Sequence, residues 1–232
     1  MPQIDRIMKM TLNMTAGITL RYANQTIDLH PSGALFWLDA STLIIADLHL
    51  IPQSTHWKLS QKEQLEQFAA AQLKQLERSI EQYLPERVLI LGDITGIEHK
   101  PIQTVFQNWI EKRTEDFGLV KELDVQSHAF YQKLHLNHYA HFIKGPFYIS
   151  HNPSVQLEMH TLCGQVQPGV WVDGVKESKN LLPSFHVSEH QIILPSFGGN
   201  YAKIAMDPQE GVALYPIGAQ QIHRFSMLNF QA

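Results

Sequence analysis

Residues 43–49, Leu-Ile-Ile-Ala-Asp-Leu-His, and residues 88–94, Val-Leu-Ile-Leu-Gly-Asp-Ile, decide the fold. Each is a short apolar run that stops at a carboxylate, Asp47 in the first and Asp93 in the second. An unbroken run of this length reads as a strand buried on both faces. A helix lies between them. Ser60 with Glu63 three residues on forms a capping box, in which each side chain satisfies an orphan amide of the first turn. Leu65, Phe68, Leu73, Leu76, Ile80 and Leu84 then recur as one buried helical face requires, and Pro85 stops the helix. Strand, helix, strand in this order predicts a right-handed crossover between parallel strands.

Outward from this unit, residues 18–22 alternate apolar and polar, Asn24-Gln25 makes a turn, and residues 26–29 return as a hairpin. Residues 34–38 and 43–47 flank a second turn-forming group, Asp39-Ala40-Ser41. A second helix is predicted over 101–115, with Val105, Phe106, Trp109 and Ile110 inward, and later strands over 147–150 and 191–194. No repeat, low-complexity tract or linker interrupts the chain, so residues 1–232 read as one domain, an α/β layered sandwich.

The ends of the apolar runs carry the chemistry. In an extended chain residues i and i+2 share a face, so Asp47 and His49 should project together beyond their strand. Such oxygen and nitrogen donors suit Zn, Mn or Fe. Ligands gather beyond the carboxyl ends of strands in open α/β sheets, so Asp93 should converge on Asp47 there. Alone, either aspartate reads as a turn or helix cap. The pair, in order and with a helix between, favours a site. Residues 147–153, Phe-Tyr-Ile-Ser-His-Asn-Pro, deliver His151 from a strand into a proline turn and add a third element.

Composition narrows the classes. A chain of 232 residues with 44% hydrophobic side chains can bury about 70–75% of its unfolded surface, which excludes wholesale disorder. Eighteen basic against 22 acidic residues give a net charge of −4, which excludes a strongly basic nucleic-acid coat. One cysteine, Cys163, cannot form an internal disulfide and points to a reducing compartment. No signal-peptide core follows Arg6 and Lys9, and the longest apolar runs fall far below the ~20 residues of a membrane span, so a soluble cytoplasmic protein is expected. Thirteen histidines point to metal or acid–base chemistry.

With these motifs assembled, the sequence resembles the calcineurin-like metallophosphoesterases and, more narrowly, the bacterial DNA-ligase-associated members. The resemblance rests on Asp47-Leu48-His49, Gly92-Asp93, Ser150-His151-Asn152-Pro153 and Leu194-Pro195-Ser196-Phe197-Gly198-Gly199, and runs over residues 33–199. It implies a four-layer α/β/β/α sandwich of mixed sheets with flanking helices. It also implies a phosphoesterase holding one or two divalent ions (Mn, Zn or Fe) and acting on a phosphodiester or phosphomonoester, a nucleic-acid end among them. Asp47 and His49 would hold one metal, Asp93 would bridge to a second, and His151 would bind that second ion. A DNA ligase or helicase would be the associated partner, with no membrane involved.

The sequence departs from the family in two motifs. Where Gly-His-x-His-Pro belongs, residues 164–168 read Gly-Gln-Val-Gln-Pro, so Gln165 and Gln167 stand at two metal-ligand positions, and amide oxygen is the poorer donor. The Gly-Asn-His-Asp loop has no recognisable copy. Residues 118–128 lie where it belongs, and Gln126 or His128 would stand in, with His128 as the proton donor to the leaving group. After His49-Leu50, Ile51-Pro52-Gln53 lacks the usual glycine and lysine. His135, His138 and His141, three apart, would align on a helix and with His128 resemble a metal-binding tract, although a solvated helical face is the plainer reading. Cys163 reads as a small buried side chain, the four tryptophans as core or rim packing, and Gly198-Gly199 as a tight turn. Two classes therefore stand: a metal-dependent phosphoesterase with a partly degenerate dimetal site, and an inactive binding or scaffold protein on the same fold, without metal.

Overall fold

The computed structural model describes residues 17–52, 62–123, 125–154, 156, 158–173, 179–198, 204–218 and 221–226. The chain builds its first sheet through antiparallel strands β1 (Ile18–Tyr22), β2 (Gln25–Leu29), β3 (Leu35–Trp37) and β4 (Thr42–His49). Helix α1 (Lys62–Tyr83) returns it to β5 (Arg87–Thr95), which lies parallel to β4. Helices α2 (Lys100–Ile110) and α3 (Val125–Gln132) then lead to β6 (Asp116–Val120) and β7 (Asn137–Tyr139), again parallel. Four carboxyl ends, those of β4 to β7, thus point the same way.

Burial on both faces explains the unbroken apolar runs. Leu43 and Ile45 of β4 with Val88 and Ile90 of β5 pack against Leu65, Leu73, Leu76 and Ile80 of α1 and Ile102, Phe106 and Ile110 of α2. Ile44, Ala46, Leu89 and Leu91 face the opposite way, onto Phe147, Ile149, Leu162, Phe185 and Ile192 of the second sheet. Each such Val, Leu, Ile or Phe side chain taken from water contributes about 1.5–3 kcal/mol.

The second sheet runs through β8 (Phe142–Lys144), β9 (Phe147–Ile149), β10 (His160–Cys163), β11 (Pro168–Asp173), β12 (Lys179–Val187), β13 (Gln191–Ile193) and β14 (Ile204–Ala205). β15 (Ala213–Gly218) pairs with β12 and carries β16 (Gln221–Ile222) and β17 (Phe225–Ser226). Parallel and antiparallel pairs mix in both sheets, so the expected α/β sandwich of mixed sheets is the one observed. The three described α-helices all contribute to the core on the outer face of the first sheet.

The loop after β10 meets the first sheet at Gly164. A Cβ built there would lie 2.4 Å from Cβ of Ala46, so only glycine lets the loop after β10 rest on the end of β4. The Phe197 amide donates to the Ala46 carbonyl at 2.8 Å from the same side.

Several local expectations shift. The first hairpin turns at Ala23-Asn24, both at positive φ, one residue earlier than read. α1 ends at Tyr83, which is buried, while Leu84 adopts φ 47° and is 44% exposed, so tyrosine closes the helical face in its place. Ser60 lies outside the described residues, and the capping box with it. α2 stops at Ile110, short of residue 115. Residues 118–120 end a strand, because buried Phe117, Leu119 and Val120 fill the sheet rather than a loop. His135, His138 and His141 do not share a helix: α3 ends at Gln132, His135 has φ 57°, and His138 sits in β7. Gly198 turns the chain and donates its amide to the Ser32 carbonyl at 2.9 Å, while Gly199 lies outside the described residues. Trp37 is buried, Trp109 packs beside the helix-side core, Trp171 is exposed, and Trp57 lies outside the described residues.

Cys163 is fully buried, and that burial pushes its thiol up to about 12. Alkylation by a maleimide at pH 8 should therefore run on the order of a thousandfold slower in the native protein than in urea. Equal rates in the two states would show the thiol to be accessible. Among the described residues no helix is long and apolar enough to cross a membrane.

Candidate functional site

At the carboxyl end of β4 and β5 the ladder is irregular. Ala46 pairs with Leu91, and pairing resumes at Leu48 with Ile94, so Asp47 alone faces Gly92 and Asp93. Asp47 takes φ 50° and Gly92 φ 91°. Aspartate is among the few side chains that tolerate the left-handed region. The bulge has a consequence for direction. A continuous pleat would turn residues 43, 45, 47 and 49 toward the helices, yet Leu48 is the one that joins Leu43 and Ile45 in that core. The bulge thus turns Asp47 and His49, which still share a face as i and i+2, away from the helices.

Asp47 is 4% exposed, and protein groups surround its carboxylate. The Asp93 amide donates to Oδ1 at 3.3 Å, and Nε2 of His151 lies 3.3 Å from that oxygen. Nε2 of Gln167, from the loop entering β11, donates to Oδ2 at 2.8 Å. One carboxylate thus ties the end of the first sheet to two loops of the second. Burial pushes the Asp47 carboxyl up, but His151, Gln167 and the Asp93 amide together outweigh it and hold the group below its ordinary value. His49 is also buried, with Nδ1 2.9 Å from Oγ1 of Thr95, its register partner on β5. Burial holds its imidazole below the ordinary value against the opposing charges of Asp47 and Asp93.

Gly92 makes the cluster fit. A Cβ there would lie 2.4 Å from both Asp47 Oδ1 and His151 Nε2.

Asp93 is half exposed, and its Oδ1 accepts from the ammonium of Lys121, the first residue beyond β6. The register brings the pair within reach: Leu91 lies beside Val120 in adjacent parallel strands, so Lys121 emerges from β6 next to the Gly92-Asp93 stretch of β5. Sequence reasoning missed Lys121, although a lone cation directly after a buried apolar strand was there to be seen. It also missed Thr95 and Tyr131. The Tyr131 hydroxyl is pushed up to about 12 by burial and by the charges of Asp93 and Glu98.

Beyond these ends opens a cleft of about 560 Å³ lined by Asp93, Lys121, Ser150, His151, Asn152 and Gln165 among others. Of the residues read as site residues, Asp47, Asp93, His151 and Gln167 meet, His49 is close enough to feel both carboxylates, and Gln165 lies on the cleft wall. The backbone of His128 belongs to α3, while its side chain lies outside what the structure describes.

As these side chains are placed, they do not form a dimetal centre. Among the described residues no three of His, Cys, Asp and Glu form a group able to hold an ion. Both oxygens of Asp47 face nitrogen groups, and Gln167 turns its amide NH₂, a donor, toward the carboxylate. Asp93, a bridging ligand only by the sequence resemblance, faces an ammonium instead.

No protein-family model matches the sequence, and no curated protein matches it. The fold does match a solved one. A nuclease, MPE, of Pseudomonas putida superposes with a TM-score of 0.73 at 19% identity, over 90% of this chain and 100% of that one. At this identity the likeness is one of fold, an α/β sandwich of two mixed sheets.

Proposed function

We propose that this chain is a phosphoesterase-fold protein that keeps the ligand cleft but not the dimetal hydrolytic centre. It binds a phosphate ester, a nucleic-acid end being the first candidate, without cleaving it. The observation that carries this reading is the occupation of the two key carboxylates by protein groups, Asp93 by Lys121 and Asp47 by Gln167 and the Asp93 amide. The cleft beyond them keeps hydrogen-bonding side chains from Ser150, Asn152 and Gln165 that suit a polar ester. The substrate class itself comes from the fold, the DNA-ligase or helicase association comes from the sequence resemblance, and a cytoplasmic location comes from the short apolar runs and single cysteine of the sequence.

A second reading, a metal-dependent phosphoesterase, is favoured by the meeting of Asp47, Asp93 and His151 beside His49 at strand ends, where such enzymes place their ligands. One set of measurements separates the two. We expect purified protein to carry well below one equivalent of transition metal by ICP-MS. It should not turn over bis(p-nitrophenyl) phosphate with added Mn, Zn, Ni or Fe. Its binding of a 5′-phosphorylated oligonucleotide, followed by fluorescence anisotropy, should not change in EDTA. Metal-dependent turnover that is lost on Asp93→Asn would establish the hydrolase instead.

A further inference from the structure

We propose that the ammonium of Lys121 is a tethered counter-ion standing where a divalent cation would bridge, and that it keeps metal out of this cleft. The inference rests on the reading of the cleft as non-hydrolytic and adds the residue responsible.

Three observations converge on it. Lys121 is held by its backbone on both sides: its amide donates to the Tyr139 carbonyl at 2.9 Å, and its own carbonyl accepts from Nε2 of His138 at 2.6 Å. The side chain therefore starts from a fixed point at the end of β6, one strand from Asp93, and its ammonium reaches Oδ1. Asp93 is also the carboxylate on which a two-ion site would depend, so a cation on that oxygen blocks the bridge. The third observation is the charge around it. Asp47 lies behind Asp93, Glu122 lines the same cleft, and Glu98 is near enough to act on Tyr131 together with Asp93. Without Lys121 the half-exposed carboxylate of Asp93 would stand without a counter-ion beside Glu122, a negative field of the kind that gathers divalent ions. With it, Asp93 is neutralised by a cation the chain itself supplies, and the cleft is assembled without metal.

A partly exposed lysine–aspartate pair contributes little to stability, so the effect belongs to ion selection and not to folding. Removing a unit charge about 5 Å from a divalent ion is worth about tenfold in affinity, or more, even with the screening of bulk water. The test is a Mn²⁺ titration of the full chain, read by the loss of free-ion EPR signal and by calorimetry, for wild type, Lys121→Met and Lys121→Arg. Lys121→Met should bind Mn²⁺ at least about tenfold more tightly than wild type, whereas Lys121→Arg, which keeps the charge, should not. Adding Asp93→Asn to Lys121→Met should abolish the gain, placing the ion on that carboxylate. If Lys121→Met and wild type bind equally weakly, the counter-ion proposal is overturned while the non-hydrolytic reading survives. If wild type already binds Mn²⁺ tightly, both fall. Should a melting curve show Lys121→Met to be unfolded, Lys121→Gln is titrated in its place and judged by the same outcomes.

Discussion

Gly92→Ala is expected to remove about 3–5 kcal/mol of stability, read as a lower urea midpoint at unchanged slope. Three costs add. An alanine at φ 91° sits in backbone territory that costs an L residue about 1–3 kcal/mol. Its methyl would lie 2.4 Å from Asp47 Oδ1 and 2.4 Å from His151 Nε2, contacts that no relaxed structure holds. Asp47 cannot swing away, because it is buried and its other oxygen accepts from Gln167. Moving it would break that bond or the one from the Asp93 amide, at about 1–3 kcal/mol for each buried group left unmatched. Gly211→Ala is the control: its φ is 75°, yet nothing lies within 4 Å of the added carbon, so only the backbone cost applies. Equal losses for the two variants would show that the cluster is not built around the missing side chain.

The second large effect belongs to Asp47. At pH 7, Asp47→Asn should cost about 2–3 kcal/mol, the range for hydrogen bonds to a charged acceptor that is lost. Asparagine keeps the size and tolerates φ 50°, but one of its polar atoms becomes a donor facing the donors of Gln167, Asp93 or His151. The pH dependence gives the sign. The folded carboxyl sits below its ordinary value, so its contribution is complete above about pH 4, where the unfolded group is ionised, and is lost as pH falls through the folded value. The gap between wild type and Asp47→Asn should therefore hold from pH 7 to 5 and narrow below pH 4. A gap that stays constant to pH 2 would show that the ionised form is not what the fold uses. His30, His49 and His186 are all held low chiefly by burial, so wild type should already lose some stability below about pH 6.5, where the unfolded imidazoles take up protons and the folded ones resist. That shallower loss should persist in Asp47→Asn.

Much of the fold was written in local pattern. The apolar runs of β4 and β5, the periodicity of α1 and the proline after it fix a parallel strand–helix–strand unit, because two-sided burial and one-sided burial leave different spacings in a chain. The strand at 116–120 escaped notice, since Gly118 interrupts its apolar run and its pairing partner β5 lies far upstream. The histidines of residues 135–141 misled for the opposite reason: a three-residue spacing fits a helix, but β7 is set by pairing with β6, and no local propensity announces that.

For the site the division is sharper. Residue identity alone nominated Asp47, His49, Asp93 and His151 and exposed the two glutamines as departures, because donor chemistry is a property of each side chain. What those carboxylates hold was decided only in three dimensions. A bulge at Asp47 set its direction, the absence of a Cβ at Gly92 left room for His151, and strand register carried Lys121 onto Asp93. Each is a contact between residues distant along the chain, and its energy depends on distances that the order of residues does not encode.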